Sequence, residues 1–304
     1  MPQWRRQAVL HWHMTRPAFL LLTLSACVLG LASAATAGDL HGPRAGLTLL
    51  LACLAHAGGN VLNDFHDACN GADAANGEAL QPFTGGARLI QRGLVSEHAT
   101  GRWAALLLLA TVLGGVLLAR QSGAALWLIG ALGLFIAWAY SVPPLALMAR
   151  GLGEAAVATG WWLVVLGADQ VQRGRLALLP AIVGAGLALL VACLLLINGF
   201  PDARADAGVG KRTLVVRLGP VRAARLYLVL ALLAHAVPVW AVGLGWAPRG
   251  ALAGVLSLPL SLAAAALLRR HRQTPQRLMP AIGLTIAAAN VHALALAAGL
   301  AWGP

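Results

Sequence analysis

The sequence predicts an all-α polytopic membrane protein, a bundle of about nine transmembrane helices with helical loops on the cytoplasmic side. Three observations predict it. Of 304 residues, 59% are hydrophobic and only 11% charged. Mean hydropathy is +0.76. Stretches free of Asp, Glu, Lys and Arg recur along the whole chain. A soluble domain carries about a quarter charged residues, so the composition excludes that class at the outset.

The uncharged stretches run from about Pro17 to Gly38, Ala45 to Asn63, Trp103 to Ala119, Gln121 to Ala149, Ala155 to Ala168, Leu176 to Pro201, Leu226 to Pro248, Gly250 to Leu268 and Leu278 to Pro304. A bilayer core needs about 20 helical residues. Eight stretches meet that alone, and the fifth does so by starting near Gly151. Gly, Ala and Leu dominate them, with 35 glycines in the chain. Small residues of this kind let helices approach closely in lipid. A single domain over residues 1–304 is expected, with residues 1–15 as a cytoplasmic N-terminal segment. Arg5 and Arg6 followed by an apolar run ending in "ASAATAG" imitate a secretory signal, but the run is long and many spans follow it.

Cys27, Cys53, Cys69 and Cys193 are scattered without a CxxC pair, which indicates neither a disulfide framework nor a zinc site. The formal charge of +12 raises nucleic acid as a partner. Plotting the basic residues removes it. With the N-terminus cytoplasmic, only Arg44, Arg120, Arg173, Arg175 and Arg249 of the 22 fall on the outer side. That asymmetry follows the positive-inside rule, so the basic excess reports orientation, with the C-terminus outside. Of the ten acidic residues, only Asp39 and Asp169 lie outside. Carboxylates gathered at one membrane face are costly to desolvate and report function.

They form two clusters. "NVLNDFHDACNGADAANGE" sits at the inner end of the second span, with Asn63 beside Asp64 and Asp67 on one helical face if the helix continues past the bilayer. Gly71 can turn the chain so that Asp73 points back to the same spot. "INGFPDARADAGVGKRTLVVRLG" ends the sixth span, with Asp202 and Asp206 on one face, Asn198 a turn earlier, and Lys211 and Arg212 following. Facing carboxylates repel unless a cation lies between them, and oxygen-only ligands suit Mg2+ rather than zinc. Mg2+ bridging Asp64, Asp67, Asp202 and Asp206 to a polyphosphate, with Lys211, Arg212 and Arg88 neutralising the rest, is the chemistry these clusters imply. An Asn followed by two Asp recurs four helices later, a faint echo of two related halves meeting at one site.

"NDFHDACNGAD" and "DARADAGVGKRTLVVRLG" resemble the first and second aspartate motifs of the UbiA superfamily of intramembrane aromatic prenyltransferases. "RPAFLLL" from Arg16, "PFTGGARLIQRGLVS" from Pro82 and "YSVPPLALMARGLGE" from Tyr140 add to the likeness. Within the superfamily the pattern is most similar to the 1,4-dihydroxy-2-naphthoate polyprenyltransferases of menaquinone synthesis. "EALQPFTGG" lacks the Arg-Pro common before the Gly-Gly, and Ala72, Ala74 and Ala75 replace commonly polar neighbours.

The resemblance implies a nine-helix bundle in the bacterial inner membrane with its active site on the cytoplasmic side, whose partners are a polyprenyl diphosphate, an aromatic acceptor and the surrounding lipid bilayer. Asn63, Asp64 and Asp67, supported by Asp73, would bind Mg2+ and diphosphate, as would Asp202 and Asp206. Lys211, Arg212 and Arg88 would contact the diphosphate, Asn198 would assist, and Tyr140 and Arg150 would border the acceptor. The implied reaction ionises the allylic C–O bond to a carbocation that an electron-rich ring attacks. Alternatives are 4-hydroxybenzoate, homogentisate or a glycerophosphate lipid as acceptor, or a secondary transporter, which would need ionisable residues at mid-bilayer. His66 reads as a solvated helix-end side chain, Trp103, Trp161, Trp162, Trp240 and Trp302 as interfacial anchors, and Glu154 as either an ion-pair partner of Arg150 or an acceptor-site group.

Overall fold

The computed structural model describes residues 2–302. Its helices are α1 (Gln3–Met14), α2 (Pro17–Ala35), α3 (Gly42–Cys69), a single turn α4 (Ala72–Ala75), α5 (Glu97–Ala119), α6 (Ala125–Ser141), α7 (Gly153–Arg173), α8 (Leu178–Gly208), α9 (Leu214–Gly243), α10 (Leu258–His271) and α11 (Met279–Trp302). Short 3-10 segments occupy Leu147–Arg150, Arg249–Ser257 and Pro275–Arg277. No strand occurs among the described residues.

Each of the nine uncharged stretches has its helix. Seven helical segments are long and apolar enough to cross a membrane, counting Arg249–His271 as one. The other two are α6, apolar but only 17 residues, and α7. What dilutes the apolarity of α7 is a set of inward-facing polar residues: Glu154, Asp169, Gln170 and Gln172 are all buried. Near its far end Arg173 pairs with Asp169 at 2.9 Å and donates to Ser33 O. Gln170 donates to Ser122 O, and Gln172 accepts from the backbone of His41. Protein partners thus supply what lipid cannot, and α7 is fastened to α2, to the α5–α6 turn and to the start of α3.

Helix α8 is the axis of the bundle, with most of its apolar length buried. It packs on α7, α9, α11 and α2, while α3 pairs with α5. The core around it is Leu, Val and Ala, including Leu187, Leu190, Leu196, Ile197, Ala231 and Leu296. Small residues set the spacing as expected: a Cβ on Gly30 of α2 would stand 2.4 Å from Val165 O of α7. The eighth span starts as a 3-10 segment, a geometry rarely sustained beyond a few residues. A buried polar node holds it there. Ser257 Oγ lies 2.8 Å from His235 Nε2 of α9, and His292 Nδ1 of α11 lies 3.0 Å from Gly254 O.

Both long helices that carry aspartates outrun their uncharged stretch. α3 continues through Asp67 to Cys69, and α8 through Asp202 and Asp206 to Gly208 despite Pro201 within it. Their extensions project at the same end of the bundle, together with Arg16, the α3–α5 loop and the start of α9. Trp240 and Trp302 are 59% and 88% exposed. Trp161 departs from the interfacial-anchor reading, for it turns inward against His56.

Candidate active site

At the projecting end the two aspartate clusters line one chamber of about 140 Å³. Asn63, Asp67, Asp73, Tyr140, Asn198, Asp202, Asp206 and Lys211 all reach it, from α3, α4, α6, α8 and the turn after α8. Helix geometry accounts for most of this. Asn63 and Asp67 are one turn apart on α3 and share a hydrogen bond of 3.2 Å. Gly71, at φ 80°, reverses the chain, and the short α4 then delivers Asp73 into the wall, where it is buried.

Lys211 joins the clusters. Its ammonium is hydrogen-bonded to Asp67 and lies 3.5 Å from Asp206 Oδ1. Burial works against the Lys211 charge, but Asp67 and Asp206 outweigh it and raise its pKa. Burial and the like charges of Asp67 and Asp64 push the Asp73 carboxyl up to about 7. Around the chamber six carboxyl groups, Asp64, Asp67, Asp73, Glu154, Asp202 and Asp206, meet two cations, Arg16 and Lys211.

The loop from Asn76 to Val95 forms the rim. Asn76 Nδ2 donates to Asp202 at 2.6 Å, and Gln81 Nε2 donates to Thr84 O and Gly86 O. Gly86 has φ 70°, and a Cβ there would stand 2.7 Å from Asp73 Oδ2 and 3.0 Å from Asp64 Oδ1. No other residue combines that backbone with that clearance.

Four predicted residues lie elsewhere. Asp64 is buried behind the chamber, with one oxygen held by Arg16 and the other accepting from Ala87 N at 3.0 Å. Arg88 braces the rim by donating to Asn76 O at 2.6 Å. Arg212 and Arg150 are exposed, Arg150 donating to Pro144 O. The Arg150–Glu154 pair does not form, because Gly151 at φ 72° separates the 3-10 turn of Arg150 from α7 and destroys the one-turn spacing. Glu154 instead lines the chamber. His66 stacks edge-on to Phe65 and stays out of the lining.

Sequence reasoning passed over Arg16 and Asn76. Arg16 read as one more orientation charge, although its place just before Pro17, the first residue of α2, was visible. Asn76 gave no signal, since its partner Asp202 is 126 residues away.

A second, apolar chamber of about 270 Å³ adjoins the first, between α2, α3, α6, α7 and α8. Arg16, Asn63, Phe83, Tyr140, Leu195 and Asn198 border both. Phe19, Leu22, Ile136, Val164, Val191 and Leu194 give the second its apolar walls. The donor set of the first is all oxygen, in character with Mg2+. Among the described residues no three carboxylate, His or Cys groups converge to hold an ion alone. A cation there would therefore complete its shell with water and ligand oxygens, which is how Mg2+ is usually bound beside phosphates.

The profile of the UbiA prenyltransferase family matches residues 23–301. A 1,4-dihydroxy-2-naphthoate octaprenyltransferase of Mycobacterium tuberculosis is 30% identical over 290 residues, 95% of each chain. The Escherichia coli protein of the same name is 30% identical over 224 residues, covering 71% of this chain and 70% of that one. In three dimensions the chain is similar to a UbiA homolog from Archaeoglobus fulgidus bound to DMAPP and Mg2+, with TM-score 0.66 and 15% identity over 95% of this chain and 99% of the other. A chain from the structure of digeranylgeranylglyceryl phosphate synthase gives the same TM-score at 17% identity over 99% of both. With nearly the whole sequence inside one family profile and 30% identity sustained end to end, the chain belongs to the UbiA prenyltransferase family and is a membrane-embedded prenyltransferase.

Proposed function

We propose that this enzyme transfers a polyprenyl group from an allylic polyprenyl diphosphate to 1,4-dihydroxy-2-naphthoate. One observation carries the reading: a carboxylate-rich chamber, spanned by Lys211, shares a wall with an apolar chamber of about twice its size. That is the shape of a ligand with an anionic head and a hydrocarbon tail. The naphthoate acceptor is supported by the relatives, which carry that name from several bacteria.

Asp67, Asp202 and Asp206, with Asp64 behind and Asp73 beside them, would hold Mg2+, which supplies charge neutralisation at the leaving diphosphate. Lys211 would donate to the same oxygens, and Arg88 and Arg212 would approach them from the rim and the turn after α8. Asn63 and Asn198 would hydrogen-bond at the junction of the chambers. As the allylic C–O bond breaks, its electron pair leaves with the diphosphate and the carbocation forms where the apolar walls begin. Those walls exclude water, which would otherwise trap it as an alcohol. The ring carbon of the acceptor that bears the carboxylate, held near Tyr140, forms the new C–C bond, and its C–CO2 bond then breaks, releasing CO2 and returning the electron pair to the ring to restore aromaticity. The whole of residues 1–304 would act as one domain in a bacterial inner membrane, with the N-terminus and the aspartates on the cytoplasmic side, as the arginine distribution suggests.

Mass spectrometry of the product from geranylgeranyl diphosphate and a mixture of aromatic acids tests this. Prenylated, decarboxylated naphthoquinol is the expected product. Prenylation of 4-hydroxybenzoate or homogentisate alone would overturn the acceptor assignment, and absence of any prenylated aromatic would overturn the reaction.

A further inference from the structure

Among the groups lining the apolar chamber, His56 is one that a hydrocarbon tail cannot use. His56 lies on α3 two turns before Asn63, about 10 Å along the helix, and lines the chamber. Its Nδ1 is 2.6 Å from Thr23 Oγ1 of α2. Its ring meets that of Trp161 edge-on, with centroids 4.8 Å apart and an interplanar angle of 83°.

The partners determine the tautomer. Thr23 is 1% exposed, and His56 Nδ1 is the one hydrogen-bond partner its hydroxyl has among the described residues. A buried hydroxyl must place its proton on an acceptor, so it donates to Nδ1. The imidazole hydrogen is then on Nε2, to which no protein atom among the described residues is bonded. Trp161 Nε1, on the ring that meets His56, is buried without a partner among the described residues. At the boundary of the two chambers Asn198 Oδ1 is also buried and unpartnered.

We infer that His56 is an acceptor-binding residue: Nε2–H, oriented by Thr23 and backed by Trp161, donates a hydrogen bond to a ring oxygen of the aromatic acceptor. The assignment rests on the aromatic-acceptor reading above and deepens it. A prenyl chain packed against His56 would leave the N–H dry, whereas an oxygenated ring satisfies it. The interval between Asn63 and His56 suits a ring with one oxygen and its hydrogen bond, its reacting carbon toward the diphosphate end. Asn198 would then accept from a hydroxyl on the same ring. Two complementary polar groups in a mostly apolar pocket are what orients a small ligand.

Two substitutions separate hydrogen bonding from packing. His56→Phe keeps a ring against Trp161 but removes the donor, and His56→Gln keeps an N–H donor without the ring. In the purified full-length enzyme, His56→Phe should raise the acceptor KM about tenfold, the usual effect of one neutral hydrogen bond, with the donor KM unchanged. His56→Gln should recover part of that loss. The preference for 1,4-dihydroxy-2-naphthoate over 1-hydroxy-2-naphthoate, which lacks one ring oxygen, should collapse in His56→Phe.

An unchanged acceptor KM and preference in His56→Phe overturns the assignment. So does a shift confined to donor KM or preferred prenyl length, which would make His56 the floor of a tail site. If His56→Phe does not fold, Thr23→Val decides, since releasing the tautomer should raise the acceptor KM severalfold and an unchanged value overturns the inference. A wild-type enzyme that prenylates no aromatic ring overturns the parent reading as well, an outcome visible before any variant is made.

Discussion

Lys211→Met tests the link between the two aspartate clusters. Lys211 is 7% exposed and holds Asp67 and Asp206, whose side chains are 15% and 11% exposed. At an effective dielectric of about 20, an ammonium 3.5 Å from a carboxylate gains about 5 kcal/mol of gross attraction. Much of this offsets desolvation, yet removing one partner strands the others. For pairs this slightly wetted we expect the metal-free protein to lose about 2–3 kcal/mol.

On the proposed function the same substitution also takes away a charged donor to the leaving diphosphate, worth about 1.5–3 kcal/mol, and should lower kcat/KM by about 10- to 150-fold. Mg2+ should then stabilise the variant more than the wild type, because the freed carboxylates take up the cation, but it should not restore turnover. Thermal unfolding in detergent with and without Mg2+, beside steady-state kinetics with labelled donor, reads all three effects. A kcat/KM within about threefold of wild type would refute the leaving-group contact. An equal Mg2+ response in both proteins would refute the electrostatic link.

Gly86→Ala should leave the bundle folded but cut turnover at least about tenfold, since its methyl group lands 2.7 Å from Asp73 in a left-handed backbone; near-normal kinetics would show that the rim yields. Asp67→Asn and Asp202→Asn should each abolish Mg2+-dependent diphosphate release, and chelation of the wild type should do so reversibly; retained release in either variant would remove that residue from the catalytic set. Arg173→Met, at the opposite end, strands the 1%-exposed Asp169 and should cost about 3–5 kcal/mol of stability. Measured in detergent, kcat per folded molecule should be unchanged, and a loss of kcat would mean that the two ends are coupled.

The membrane spans were legible because hydropathy is a property of each stretch alone. Helix α7 tests the limit: its polar side chains lower its hydropathy, and only the spacing of charges gave it a span. The clusters were legible because helical periodicity puts Asn63 with Asp67, and Asp202 with Asp206, without knowledge of the fold. Pairings across the chain were not. Nothing local tells Arg16 that it will hold Asp64, or Asn76 that it will hold Asp202, for the first contact exists only once α2 packs on α3 and the second only once the segment around α4 packs on α8. Position along a helix also misled for Trp161, which resembles an interfacial anchor by residue type yet faces His56.

The bond between Lys211 and Asp67 spans 144 residues, and that separation has a temporal meaning. At about 5–20 residues per second of synthesis, Asp67 leaves the ribosome roughly 7–30 s before Lys211 does. During that interval the first carboxylates wait at the membrane surface without the partner that will balance them. The nascent enzyme cannot hold its substrate's head group in final form until the sixth span is inserted. A chain halted before Lys211 would be a bundle with half a lock, and its exposed acidic loop is where proteolysis during biogenesis should first reveal the delay.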